Sequence, residues 1–191
     1  MILSRELVLG SGSPRRKEIL EKAGFEFSVE VRPTDEEFPA DLSPELVPVY
    51  LAEKKLAAFG MEFEDKIVLC SDTVVILHGE IMNKPADVAE AKEMLRALSG
   101  NRHTVVTGVA LKTRGYQKSF ADSCEVFFDE LSEAEIDYYL KACKPFDKAG
   151  SYGIQDFIGM AGISRLEGSF YTVMGLPVHA VYGHLKPFIS F

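Results

Sequence analysis

The chain has 191 residues, 47% of them hydrophobic and 26% charged, an ordinary balance for a single globular domain over 1–191 with room for a sizeable core. Its 29 acidic and 21 basic residues leave a net charge of −8, which excludes a broad basic surface for nucleic acid. Cys70, Cys124 and Cys143 match no zinc spacing and point to a reducing cytoplasm, and neither a signal peptide nor an apolar run of about 20 residues indicates export or a membrane span.

In chain order, "ELVLG" reads as a buried strand that runs into a helix over residues 14–23. Ser13 and Pro14 mark the start of that helix and Gly24 its stop. Arg15, Arg16 and Lys17 then fill its first turn, where the helix dipole is positive and each cation costs roughly 0.3–1 kcal/mol. Such a conflict with local stability marks a candidate functional site, and an anion bound by the helix terminus and the arginines together would resolve it. "FEFSVEV" alternates like a strand with one wet face, and "RPTDEEFPADLSP" is a polar loop. The next helix carries Ala52, Leu56 and Phe59 on one stripe and ends at Gly60, with Pro48 blurring its start.

"KIVLCSDTVVIL" is a strand-rich run split by a polar triplet. Asp87, with Glu90 three residues on, caps a helix whose core face is Val88, Ala91, Leu95 and Leu98. "HTVVTGVALKT" and "SCEVFFDE" are strands, with Cys124 in a strand core. Ser132 and Glu135 form a capping box for a helix carrying Ile136, Tyr139, Leu140 and Cys143, and "GLPVHAVYGHLKPF" is a short helix. Alternating strands and helices with hairpin-like stretches make an α/β fold with a mixed sheet.

Asp72 stands between two apolar strand-like runs, where an ionised carboxylate is costly unless it is paired. It either organises a strand-end turn, activates water as a general base, or holds Mg²⁺ beside a phosphate. Lys84 reads as a loop lysine, and Lys55 as a helix lysine that buries its stem. Asp35, Glu36 and Glu37 are solvated surface or a place for a hard cation. "DKAGSYGIQDFIGMAG" is rich in glycine around Tyr152 and Gln155, and an amide such as Gln155 both donates and accepts, as reading a base edge requires. No P-loop is present, "GSGSPR" puts Arg15 where a dinucleotide fingerprint needs glycine, and the four histidines show no metal-ligand spacing. The residues alone reach a small phosphorylated ligand and do not name it.

"LGSGSPRRKEIL", "SDTVV", "GEIMNKPAD", "LSGNRHTVVTGV", "DKAGSYGIQ" and "VMGLPV", in that order, closely resemble the Maf family of nucleoside triphosphate pyrophosphatases, which is also linked to septum formation. The resemblance implies a Maf/inosine triphosphatase-like fold, a mixed sheet flanked by helices in two lobes with a deep central cleft. It implies hydrolysis of a nucleoside triphosphate to monophosphate and pyrophosphate with a divalent cation, Mg²⁺ or Mn²⁺. Carried onto this chain, it makes Asp72 the proton acceptor for the attacking water, and puts Ser11, Ser13, Arg15 and Arg16 on the phosphate side with Lys55 and Lys84. Glu36, with Asp72, is a candidate for the metal. Arg15, Thr73 and Gln155 resemble the branch that acts on dTTP and UTP; the sister branch, which prefers 7-methyl-GTP, has an aromatic residue, Gln and Glu at those places. A positively charged 7-methylguanine favours an aromatic face and a carboxylate, and an arginine repels it. Two places depart from the family pattern: "GIQD" replaces "GIQG", introducing Asp156, and Cys143-Lys144 replaces Gly-Glu. A homodimer fits a protein of this kind, although no segment marks an interface. A nucleotide-binding regulator of cell division with little catalysis and a 7-methyl-GTP pyrophosphatase are the alternative readings.

Overall fold

The structure, a computed structural model, describes residues 2–190. Its elements are β1 (Ile2–Leu3), β2 (Leu7–Leu9), α1 (Pro14–Lys22), β3 (Phe27–Val29), α2 (Val47–Ala57), β4 (Ile67–Leu77), β5 (Glu80–Met82) and α3 (Val88–Leu98), followed by the hairpin of β6 (Arg102–Thr113) and β7 (Tyr116–Phe128). The chain continues with α4 (Glu133–Cys143), α5 (Phe157–Ala161), β8 (Ile163–Glu167), α6 (Phe170–Met174), α7 (Val178–Leu185) and β9 (Ile189–Ser190). The main sheet has the order β3-β2-β4-β6-β7-β8, with β5 paired to β4. It is mixed, because β2 runs parallel to both β3 and β4 while β5 and β8 pair antiparallel to β4 and β7. The α/β class expected from the alternation of elements is what the chain forms, and α1 is the crossover that parallel β2 and β3 require. Among the described residues no helix is long and apolar enough to cross a membrane.

The chain divides into two compact units. The first comprises residues up to Asp72, Thr107–Asp122 and the chain from Gly175 onward; the second comprises Thr73–Val106 and Ser123–Met174. In the first, Ala52 and Leu56 of α2 and the following Phe59 pack on a sheet face made by Val8, Val68, Cys70 and Ala110. Val8 and Val68 are register partners across β2 and β4, so they share that face. The start of α2 lies so close to β6 that a Cβ on Gly108 would meet the Pro48 carbonyl carbon at 2.2 Å. Only glycine admits that approach.

In the second unit the core is Ala91, Leu95 and Leu98 of α3 with Ile136, Tyr139 and Leu140 of α4, set against Val75, Val105, Cys124, Val126 and Phe128. Cys124, Val126 and Phe128 are two residues apart along β7 and present one face, as a strand's period dictates. Both capping signals are real: the Asp87 carboxylate accepts the Glu90 N–H, and Ser132 and Glu135 form the reciprocal capping box.

Four details depart from the sequence reading. β4 passes unbroken through Ser71, Asp72 and Thr73, because the first two polar side chains find partners inside the fold. Helix α2 ends at Ala57 and not at Gly60, since Ala58 and Phe59 turn in tighter i to i+3 bonds to Lys55 and Leu56. Val88 is 57% exposed, and the packed face of α3 begins one turn later at Ala91. Ser13 has the extended backbone of an N-cap, yet its side chain makes no capping bond.

Candidate active site

In the first unit the chemistry gathers where β2, α1, α2 and the middle of β4 come together. Asp72 is 9% exposed, and its carboxylate receives the Lys55 ammonium in a short ion pair. Lys55 reaches it from the last turn of α2, four residues after Leu51, where a cation also suits the helix dipole. The same ammonium lies 3.2 Å from Glu36 Oε1. Two carboxylates therefore share one cation. The neighbouring Lys54 pairs with Asp35 and donates to the Glu37 carbonyl at 3.0 Å, so the acidic loop is held against α2 instead of drifting in solvent.

The three cations that open α1 divide. Lys17 faces water, 3.7 Å from Glu21 one turn along the helix. Arg16 turns inward: its Nε donates to the Gly175 carbonyl at 2.8 Å and its Nη1 to Ser11 Oγ at 2.9 Å. Burial lowers the Arg16 pKa, Asp72 and Glu36 pull it up again, and Arg15 opposes them. Arginine keeps its proton in proteins, so the guanidinium remains a cation at this place. Ser11 is buried and its hydroxyl also accepts the Ser13 N–H at 3.3 Å, which shapes the loop before the helix. Ser71, beside Asp72, shares its hydroxyl proton between the Gly108 carbonyl at 2.9 Å and that of Gly175 at 3.2 Å. Gly175 is thus gripped by both Ser71 and Arg16, a junction the sequence does not signal.

The second unit holds Thr73, Lys84 and Gln155. Thr73 is half-buried in β4, while Lys84 and Gln155 are exposed on loops. The Lys84 loop is tied to the glycine-rich segment by the Gly150 N–H, which donates to the Asn83 carbonyl at 3.2 Å. In that segment Gly150 and Ser151 both adopt left-handed backbone, a strained conformation for a serine and one often found at functional sites. Tyr152 beneath it meets His103 Nε2 at 2.7 Å. Burial pushes His103 down to about 4, and its Nδ1 has no partner among the described residues. Burial also pushes Cys70 up to about 12, so this thiol, two residues before Asp72 on the same strand, stays protonated.

The first-unit cluster holds a sheltered carboxylate in an ion pair with Lys55 and within the electrostatic reach of Arg16, an arrangement that suits an anion delivered next to a proton acceptor. A family model described as "Maf-like protein" matches residues 6–188. The chain belongs to the Maf family. The dTTP/UTP pyrophosphatase of Porphyromonas gingivalis is 51% identical over 187 residues, 96% of this Maf chain and 94% of the relative. That of Cytophaga hutchinsonii is 45% identical across 95% of this chain and 83% of the relative. That of Christiangramia forsetii is 41% identical across 100% of this chain and 97% of the relative. The family read from the six motifs is therefore the right one, and the match runs through both units of this Maf protein.

Proposed function

We propose that this Maf protein hydrolyses dTTP and UTP to the monophosphate and pyrophosphate, with residues 1–191 acting as one functional domain. The observation that carries the chemistry is Asp72, a carboxylate sheltered in the middle of a strand and bound by Lys55 next to Arg16. The names of the relatives support the choice of substrates. In this reading Asp72 takes a proton from water, the oxygen attacks the α-phosphorus, and the α–β bridging bond breaks to release pyrophosphate. Ser11, Ser13, Arg15, Arg16 and Lys55 bind phosphate oxygens in the first unit. Lys84 is assigned to the phosphates, and Thr73 and Gln155 with Arg15 to base preference, by their places in the family's motifs.

Among the described residues no three His, Cys, Asp or Glu side chains form a metal cage. Glu36 and Asp72 nevertheless converge on one ammonium, and a pair of carboxylates around a cation is the donor set that Mg²⁺ or Mn²⁺ uses with substrate phosphates. Glu36 is proposed to hold the metal together with the phosphates, which leaves Asp72 for the proton. When bound, the ion neutralises charge on the phosphates. Cys70, Cys124 and Cys143 are unbridged, which supports a cytoplasmic setting.

The test is a panel of dTTP, UTP, CTP, ATP, GTP and 7-methyl-GTP with Mg²⁺, reading pyrophosphate and monophosphate separately. Pyrophosphate release from dTTP and UTP above the others is the expected outcome. Preference for 7-methyl-GTP overturns the assignment of Arg15, Thr73 and Gln155. Binding without turnover makes the protein a nucleotide-responsive regulator.

A further inference from the structure

Asp156 stands at the N-cap of α5, a position where an aspartate ordinarily accepts the N–H groups of the first turn. Here its side chain makes no capping bond. Its Oδ2 instead accepts the Tyr139 hydroxyl at 2.9 Å and lies 3.7 Å from the Lys148 ammonium. Tyr139 in turn accepts the Gly153 N–H at 3.0 Å. The turn between these points is closed by the Asp156 N–H donating to the Gly153 carbonyl at 3.0 Å. One phenol hydroxyl from the core of α4 therefore grips both ends of a four-residue turn, and Gln155 is the exposed residue inside it.

The surroundings leave the turn little freedom. Ile154, within the turn, is buried, and Gly159 of α5 packs so tightly that a Cβ there would meet the Ile154 carbonyl oxygen at 2.3 Å. A Cβ on Gly153 would lie 2.5 Å from Asp156 Oδ2, so a side chain there would push the carboxylate from its place. Burial, and then the Asp156 charge, hold the Tyr139 pKa well above its usual value, so the hydroxyl keeps the proton it donates. Lys148, 13% exposed at its side chain, pairs with Asp147 as well and supplies the counter-charge.

We propose that Tyr139 and Asp156 are positioning residues that clasp the 153–156 turn and so fix the direction in which Gln155 presents its amide to the substrate base. This rests on the proposed function, in which Gln155 contributes to base preference. Where the family's usual motif has a glycine after Gln155, this chain uses a carboxylate and holds the amide in one orientation before substrate arrives. Pre-organisation of this kind strengthens binding because the ordering cost is met in the free protein.

The experiment is steady-state kinetics on UTP and dTTP for the wild type, Tyr139→Phe, Asp156→Ala, Gln155→Ala and the double variant Tyr139→Phe/Gln155→Ala, with thermal melts of each. Tyr139→Phe is expected to raise KM about tenfold, the scale of one lost buried hydrogen bond, with kcat within about twofold. Asp156→Ala, at a half-exposed position, should shift KM in the same direction even if Tyr139→Phe proves too unstable to assay. Because the clasp acts through Gln155, the double variant should have the KM of Gln155→Ala alone. Penalties that multiply in the double variant, or an unchanged KM in a folded Asp156→Ala, overturn the clasp while leaving the pyrophosphatase reading intact. A wild type that turns over neither UTP nor dTTP overturns that reading, and the clasp's role falls with it.

Discussion

The Lys55 ammonium sits on the Asp72 carboxylate, and this ion pair joins an 11-residue helix to an 11-residue strand at the two residues proposed for phosphate binding and proton transfer. This pair satisfies a charge that β4 would otherwise bury at a cost of several kcal/mol. It also sets the proposed base beside the positive charge that a triphosphate seeks. Asp72→Asn keeps the shape and removes the proton acceptor. We expect kcat to fall on the order of 10²–10⁴-fold, while nucleotide binding by calorimetry changes little. Near-normal turnover in Asp72→Asn would remove Asp72 from the chemistry.

Arg16 spans from Gly175 to Ser11 with two nitrogens of one planar fork. A lysine carries the same charge but only one nitrogen, and cannot make both bonds along these directions. Arg16→Lys is therefore expected to lower stability by about 1–3 kcal/mol, because the Gly175 carbonyl loses its charged donor. It should also raise KM for UTP severalfold. Urea unfolding together with kinetics checks both; full retention of stability by the lysine variant would show that charge alone suffices at this place.

What could be read from the sequence was local. Asp87 with Glu90, and Ser132 with Glu135, cap their helices because partners three residues apart necessarily meet at a helix start. Tyr139 falls on the core stripe of α4 by its spacing from Ile136 and Leu140. Its hydroxyl's partners, Gly153 and Asp156, lie 14 and 17 residues further on, and no period reveals them. The same holds for Arg16 and Gly175, which are 159 residues apart. The triplet 71–73 reads as a break because polar residues interrupt an apolar run, yet Ser71 and Asp72 are satisfied by Gly108, Gly175 and Lys55 from distant parts of the chain. The loop at 35–37 reads as solvated because α2's lysines, 17 and 19 residues away, are invisible to a local view. The family's motifs compensate for part of this blindness, since they record residues that act together without being neighbours.

Gly108 links the fold of the first unit to its site. Its missing side chain lets the start of α2 approach β6, and α2 is the helix that carries Lys55 to Asp72. In Gly108→Ala the new carbon would lie 2.2 Å from Pro48 and 2.3 Å from the Val49 nitrogen, both backbone atoms that cannot swing aside. Helix α2 must then shift. We expect destabilisation of about 1–3 kcal/mol and a loss of kcat beyond what the change in folded fraction explains. Chemical denaturation and kinetics on the same preparation separate the two effects.

His103 gives a pH dependence whose sign can be worked out. It is 2% exposed, beside Phe128 and Tyr152, and burial holds its pKa at about 4, against about 6.5 for an exposed histidine. Above the unfolded value the ring is neutral in both states and contributes no pH dependence. Between about 6.5 and 4 the unfolded chain binds a proton that the folded chain refuses, so stability falls as the pH falls. Below about 4 both states are protonated and the loss levels off. At about 1.4 kcal/mol per unit of pKa difference, the full penalty is on the order of 3 kcal/mol. The measurement is the urea midpoint between pH 7.5 and 4.5 for wild type and His103→Gln. The glutamine variant is expected to lose several tenths of the wild type's pH dependence over that range, because the remaining carboxylates still titrate. Parallel curves for the two proteins would mean that His103 already accepts its proton in the folded state, and would overturn the burial argument.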